Sequence, residues 1–206
     1  MKEVDTMHIS DGVLSTPVAV GTTAITAATI AYSVKGMTEE EIPKTSLMAG
    51  AFFAVSLISI PVGPSTIHPL FSGLLGVMLG RRAPLAIFVG LLLQAVLFQH
   101  GGLTTLGANT MMLSIPALIS HKIFCRMTDK SVFLRGALVG ALSVTITVGL
   151  LIVLLFLTDP RFGEGFMSVI NILIVGHIPL VLIEALVTAS ALQLIQKAKP
   201  AMLVTE

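Results

Sequence analysis

The run Val132-Phe-Leu-Arg-Gly-Ala-Leu-Val-Gly-Ala-Leu-Ser-Val-Thr-Ile-Thr-Val-Gly-Leu-Leu-Ile-Val-Leu-Leu-Phe-Leu157 contains a single ionisable side chain, Arg135. A helix needs roughly 20 mainly apolar residues to cross a bilayer, and this run exceeds that length. The same ruler finds apolar stretches near 15–34, 45–62, 66–80, 83–99, 105–124 and 166–195. The sequence therefore predicts an all-α polytopic membrane protein, a bundle of about seven transmembrane helices forming one domain over residues 1–206. Composition agrees: hydrophobic residues make up 54% of the chain and charged ones 11%, against about 25% charged in water-soluble domains. Mean hydropathy is +0.97. The one cysteine, Cys125, excludes a disulfide framework and a cysteine metal cluster and reads as a small hydrophobe.

Two of these helices carry breakers. The third is short and opens with Pro64 and Pro69, so it is expected to begin as a re-entrant loop, a feature tolerated where protein covers the backbone. The last contains Pro179, which predicts a kink.

Basic residues set the orientation. Lys35, Lys44, Arg81, Arg82, Lys122, Arg126, Lys130, Arg135, Lys197 and Lys199 fall on one side of the predicted topology, Lys2 and Arg161 on the other. Cytoplasmic loops carry the excess of Lys and Arg, so the first side is cytoplasmic, the N-terminus is outside and the C-terminus is inside. Residues 1–14 then form an extracytoplasmic segment, and residues 15–206 form the bundle, with outer loops at 61–68 and 100–110. Residues 1–6 hold one Lys and two acids. They lack the basic start of a secretory signal, and the first helix is expected to be retained.

That topology gathers His8, His68 and His100 at the outer mouth. His121, beside Lys122 at the inner end of the fifth helix, reads as a solvated interfacial residue. Gln94, Asn171, His177 and Glu184 are the polar groups left inside the predicted spans. Such groups are costly and often functional, and for His177 a hydrogen-bonded structural role is an equal reading.

Met7-His8 offers a specific chemistry if Met7 is the mature terminus. A free amine, the next residue's deprotonated amide and its imidazole chelate one cation through fused rings. His68 could close the fourth in-plane position. Four planar nitrogens suit Ni(II) or Cu(II), and such binding releases protons and weakens in acid. The bland alternative is a solvated histidine near a chain end.

Three segments, Met7-His8-Ile9-Ser10-Asp11-Gly12, Ser65-Thr66-Ile67-His68 and Gln99-His100-Gly101-Gly102-Leu103-Thr104-Thr105-Leu106-Gly107-Ala108-Asn109-Thr110, resemble the CbiM/NikM family. These are substrate-capture subunits of cobalt and nickel energy-coupling-factor transporters. The resemblance covers essentially the whole chain. It implies that Co(II) or Ni(II) is held, as transported ligand and not as permanent cofactor, by Met7, His8 and His68, inside a polar network from Asp11, His100 and Asn109. It also implies uptake across the cell membrane with a membrane coupling protein (CbiQ/NikQ-like) and ATPase subunits (CbiO/NikO-like), and in some members a small accessory membrane subunit (CbiN/NikN-like). Six residues precede Met7 here, whereas the family's chelate uses a free terminus at that Met. A translation start at Met7 is expected.

Small-xxx-small spacings let helices approach closely in lipid. They occur at Ala24/Ala28, Ala27/Ala31, Gly76/Gly80 and Gly136/Gly140. Packing within the subunit is the general expectation; the resemblance implies that the first helix instead meets the coupling protein.

Other classes fit less well. No Gly-x-x-x-x-Gly-Lys-Ser/Thr segment is present, so ATP use by a P-loop within this chain is excluded. Asp5, Asp11, Asp129 and Asp159 lie in predicted loops and no Gly-x-Ser-x-Gly elbow occurs, which disfavours an intramembrane enzyme. No nucleic-acid partner is expected. A stand-alone divalent metal permease is the main competitor, but it would distribute liganding groups across the bilayer.

Overall fold

Prolines, serines and glycines punctuate the apolar runs, and the helices start and stop at them. In a computed structural model, which describes residues 9–58, 60–62, 65–165 and 168–203, seven α-helices form: α1 Thr16–Val34, α2 Glu41–Ser56, α3 Ser72–Leu79, α4 Ala83–Phe98, α5 Leu106–Arg126, α6 Val132–Thr158 and α7 Val169–Ala198. Prolines occupy the first turns of α1 and α4, where a missing N–H costs nothing. Ser131 and Ser168 cap α6 and α7, their hydroxyls accepting from the N–H groups of Leu134 and Asn171.

Four stretches are long and apolar enough to cross a membrane: Thr16–Val34, Ser72–Phe98, Val132–Thr158 and Val169–Ala198. The second comprises α3, a 3₁₀ turn at Gly80–Arg82 and α4. The chain reverses at that turn, because His68 before α3 and His100 after α4 end with their rings 4.9 Å apart. Gly80 takes φ +54° there, a left-handed value open to glycine. The 16-residue α2 falls short of that length, and the 21-residue α5 carries Asn109, His121, Lys122 and Arg126. α5 nonetheless sits centrally, packed by α1, α3, α4 and α6, while α6 lies along α7.

One expectation is corrected. Residues 57–67 do not extend α2 or open α3: short strands β1 (Ile60–Val62) and β2 (Ser65–Ile67) pair antiparallel, with Pro61 opposite Thr66. Pro61 cannot continue the helix begun in α2, and a two-stranded ribbon has only edges, where proline is accepted. The all-α reading thus gains one hairpin, and the outer loop expected at 61–68 is largely this hairpin. α7 continues as one helix through Pro179, and α5 through Pro116.

The glycine pairs pack inside the subunit. A Cβ on Gly76 would lie 2.0 Å from the Ala117 carbonyl oxygen of α5. One on Gly136 would lie 2.7 Å from Ala189 Cα, and one on Gly140 2.5 Å from the Glu184 carbonyl oxygen, both on α7. Ala24, Ala27, Ala28 and Ala31 of α1 instead remain exposed. On that helix Thr23 and Thr29 each donate to the carbonyl four residues back at 2.8 Å, while Thr26 donates to the Gly107 carbonyl of α5 at 2.6 Å.

At one end of the bundle, two arginines fasten the α1–α2 connection. Arg82 is 5% exposed. Its guanidinium donates to Glu41 Oε1 and Oε2 at 2.9 and 2.8 Å, to the Lys35 and Gly36 carbonyls at 3.1 and 2.8 Å, and to the Ser33 carbonyl. Arg81 donates to the carbonyls of Tyr32 and Lys35 and stacks over the Tyr32 ring at 4.9 Å. Nearby, Lys44 Nζ donates to the Met202 carbonyl at 2.7 Å. The Arg82 pairing pulls the Glu41 carboxyl down to about 2.

Candidate functional site

At the other end, the connection between α4 and α5 closes around the start of the chain. Gln99 takes φ +53° at the end of α4, and the N–H groups of Gln99 and His100 both turn back to the Gln94 carbonyl. This directs residues 100–105 across the bundle. Gln94, fully buried, is fixed in turn by donating through Nε2 to the Ser56 hydroxyl at the end of α2.

Residues 9–11 run through the resulting collar. The Ile9 N–H donates to Asn109 Oδ1 at 2.9 Å, while Asn109 Nδ2 donates to the Ile9 carbonyl at 3.1 Å. One side-chain amide thereby satisfies both backbone groups of one residue, as a neighbouring strand would. The Thr105 hydroxyl adds a second donor to the same carbonyl at 2.5 Å. Two residues on, Asp11 Oδ1 accepts from the Thr104 N–H at 2.9 Å and from its hydroxyl at 2.5 Å. The Thr104 hydroxyl, followed by the backbone N–H groups of 103–105, holds the Asp11 carboxyl below its usual range. Only glycine fits at 102, because a Cβ there would stand 2.1 Å from Asp11 Oδ1 and 2.7 Å from the Asp11 nitrogen. Asn109 is 3% exposed and Ile9 5%; these bonds are therefore made away from water, where leaving either backbone group unpaired costs about 1–3 kcal/mol.

His68 enters from the hairpin side. It follows β2, is buried, and meets His100 edge to face, with ring centroids 4.9 Å apart and planes at 64°. His100 opens the same connection whose Thr104, Thr105 and Asn109 hold residues 9–11.

Of the expected site residues, Met7 and His8 lie outside the described residues. His68 and His100 are brought together, and Asp11 and Asn109 are brought onto one connecting segment. Among the described residues, no group of three or more His, Cys, Asp or Glu side chains forms a metal cluster. Thr104, Thr105 and Gly102 were not singled out in the sequence. Their signal is the Gly-Gly-Leu-Thr-Thr run itself, a tight backbone approach followed by two adjacent hydroxyls.

The remaining polar candidates lie elsewhere. His177 is buried on α7 with Nδ1 2.6 Å from the Leu173 carbonyl, a bond within its own helix. Asn171 sits in the exposed first turn of α7 with Nδ2 3.4 Å from the Gly165 carbonyl. His121 and Cys125 face each other one turn apart on α5, Nδ1 to Sγ 3.8 Å. Glu184, 1% exposed, accepts at Oε1 from the Leu70 and Phe71 N–H groups at 2.5 and 2.9 Å.

The chain is similar to known proteins in sequence and in fold. Residues 8–202 match the family model described as CbiM, cobalt uptake substrate-specific transmembrane region. The chain is 32% identical to the cobalt transport protein CbiM of Streptomyces coelicolor, over 92% of this chain and 88% of that one. It is 31% identical to the CbiM of Sorangium cellulosum, covering 94% and 93%. A protein of Archaeoglobus fulgidus provisionally named as the fused nickel transport protein NikMN is 27% identical, over 94% of this chain and 67% of that one. A crystal structure of a transition metal transporter superimposes with a TM-score of 0.80 at 21% identity, over 93% of each chain. The fold is thus one already seen in a solved protein.

Proposed function

Because the chain belongs to the CbiM family of cobalt-uptake substrate-specific transmembrane regions, a membrane-embedded transport component, we propose that it is the high-affinity capture subunit of an ATP-driven energy-coupling-factor transporter for Co(II) or Ni(II). The ion is bound by the amine of Met7, the amide nitrogen and imidazole of His8, and the imidazole of His68. Four nitrogens, one of them the anionic deprotonated amide, suit nickel, and the family match adds cobalt. Asn109 is the observation that carries the reading. By holding both backbone groups of Ile9 it anchors the chain directly after His8, whose own amide nitrogen, in the preceding peptide, and imidazole are the proposed chelators. Asp11, through Thr104, and His100, against His68, complete the surround, in the way that outer partners orient metal ligands.

In this reading the collar faces outward and the Arg81–Arg82 end faces the cytoplasm, as the distribution of basic residues favours. The protein sits in the cell membrane. ATP hydrolysis belongs to separate CbiO/NikO-like subunits, coupled through a CbiQ/NikQ-like membrane protein, with a CbiN/NikN-like subunit as a further partner. The exposed small-residue face of α1 is the face offered to the coupling protein.

Calorimetry with Ni(II) and Co(II) tests the site. His8→Ala and His68→Ala should each weaken binding by more than the roughly 10–100-fold typical of an outer partner. Unchanged affinity in both variants removes the assignment. Uptake by vesicles tests the class: accumulation that requires the ATPase subunits supports capture, and accumulation without them identifies a stand-alone permease.

A further inference from the structure

Glu184 is the one carboxylate buried within α7, and the chemistry described so far leaves it unused. Its Oε1 accepts from the Leu70 and Phe71 N–H groups at 2.5 and 2.9 Å, the donors that lead into α3. Oε2 makes no hydrogen bond among the described residues. Phe71 is the N-cap of α3, so its N–H is among the orphan donors of a helix start, and Leu70 lies directly before it; in a membrane interior each N–H must find a protein partner. A carboxylate at that position also meets the favourable end of the helix dipole.

The segment it grips is short and stiff. Pro69 has a fixed φ and no N–H. Phe71 adopts φ +47°, a left-handed conformation uncommon outside glycine that persists only where the surroundings enforce it. His68 lies immediately before this pair of constraints, buried, its ring against His100.

We propose that Glu184 is a positioning residue for metal capture: its carboxylate, reaching from α7, locks the Leu70–Phe71 backbone and thereby sets the His68 imidazole at the metal. This rests on the reading of His68 as a ligand, and the experiment separates the two. Full-length protein loaded with Ni(II) is measured by nickel X-ray absorption, which counts imidazoles per metal, and by calorimetry. The wild-type protein should show two imidazoles and His68→Ala one. Glu184→Leu should also show one, with affinity lowered to the level of the His68→Ala variant. Glu184→Gln retains an acceptor oxygen and should restore two imidazoles and affinity within about threefold.

If Glu184→Leu does not fold, Glu184→Asp, whose carboxylate is one methylene too short to reach both N–H groups, should lose one imidazole and at least tenfold in affinity. Two imidazoles retained in Glu184→Leu, or in Glu184→Asp if that variant has to stand in, overturn the proposal even if thermal stability falls, since that is the signature of a purely structural carboxylate. A wild-type protein with fewer than two imidazoles, or one unaffected by His68→Ala, overturns the ligand assignment itself.

Discussion

Single side chains decide whether the collar closes. Asn109→Ala removes both bonds to Ile9 and is expected to lower Ni(II) affinity about 10–100-fold, read by calorimetry, with little change in helix content. Gly102→Ala drives a Cβ into Asp11 and should cost at least as much, because the obstruction is partly backbone. Acid has a definite sign here. A carboxyl whose folded pKa is depressed, as at Asp11, contributes stability above its unfolded value near 3.9 and loses it only as pH falls through the lower, folded one. Because metal binding by such nitrogens releases protons, nickel affinity should fall as pH is lowered, and it should do so while the Asp11–Thr104 contact is intact. Asp11→Ala should weaken binding about tenfold yet leave the midpoint of that pH dependence where it was. A midpoint that moves would place Asp11 among the titrating groups. At this scale the sequence was legible in which residues come together, His68 with His100 and both Asp11 and Ile9 with the connection that carries Thr104 and Asn109. It marked Glu184 as a polar group within a span but not its partners, since nothing local to α7 signals a bond to Leu70 and Phe71, which lie 114 and 113 residues away.

Among the helices, lengths followed from apolar runs and their breakers, and α1, α4, α5 and α6 begin and end near the expected positions. The hairpin was hidden because Leu57-Ile58-Ser59-Ile60-Pro61-Val62 is as apolar as a span, and a short apolar run does not distinguish strand from helix. Arg81 and Arg82 were legible as interfacial charge but not as fasteners. Arg82 is the stronger test. Arg82→Ala strands the carbonyls of Ser33 and Gly36 and leaves Glu41 without its fork, and should lower stability on the order of 2–3 kcal/mol, read as a fall in Tm in detergent. Arg82→Lys should recover part of this, since an ammonium cannot reproduce the bidentate geometry. With Glu41 held at about 2, the carboxylate is charged at both pH 5 and pH 8. The loss should therefore be the same at both.

Over the whole molecule, α3, α5, α6 and α7 form an interior joined at backbone distance, while α1 stands at its edge with its alanines outward. Gly76→Ala places a methyl 2.0 Å from the Ala117 carbonyl and should cost at least the roughly 1–3 kcal/mol typical of overpacking. Ala27→Leu, on exposed α1, should leave Tm unchanged and lower only transport by the assembled complex. The two ends of the bundle also differ in what they tolerate. Ile9 is enclosed, and the strap it belongs to is held by the side chains of Asn109, Thr105 and Thr104. A purification handle or fluorescent fusion joined to Met7 would turn the amine proposed as a ligand into an amide, whereas the same addition after Met202, beside Lys44, leaves it untouched; preparations carrying the handle in front can be expected to report a blunted protein.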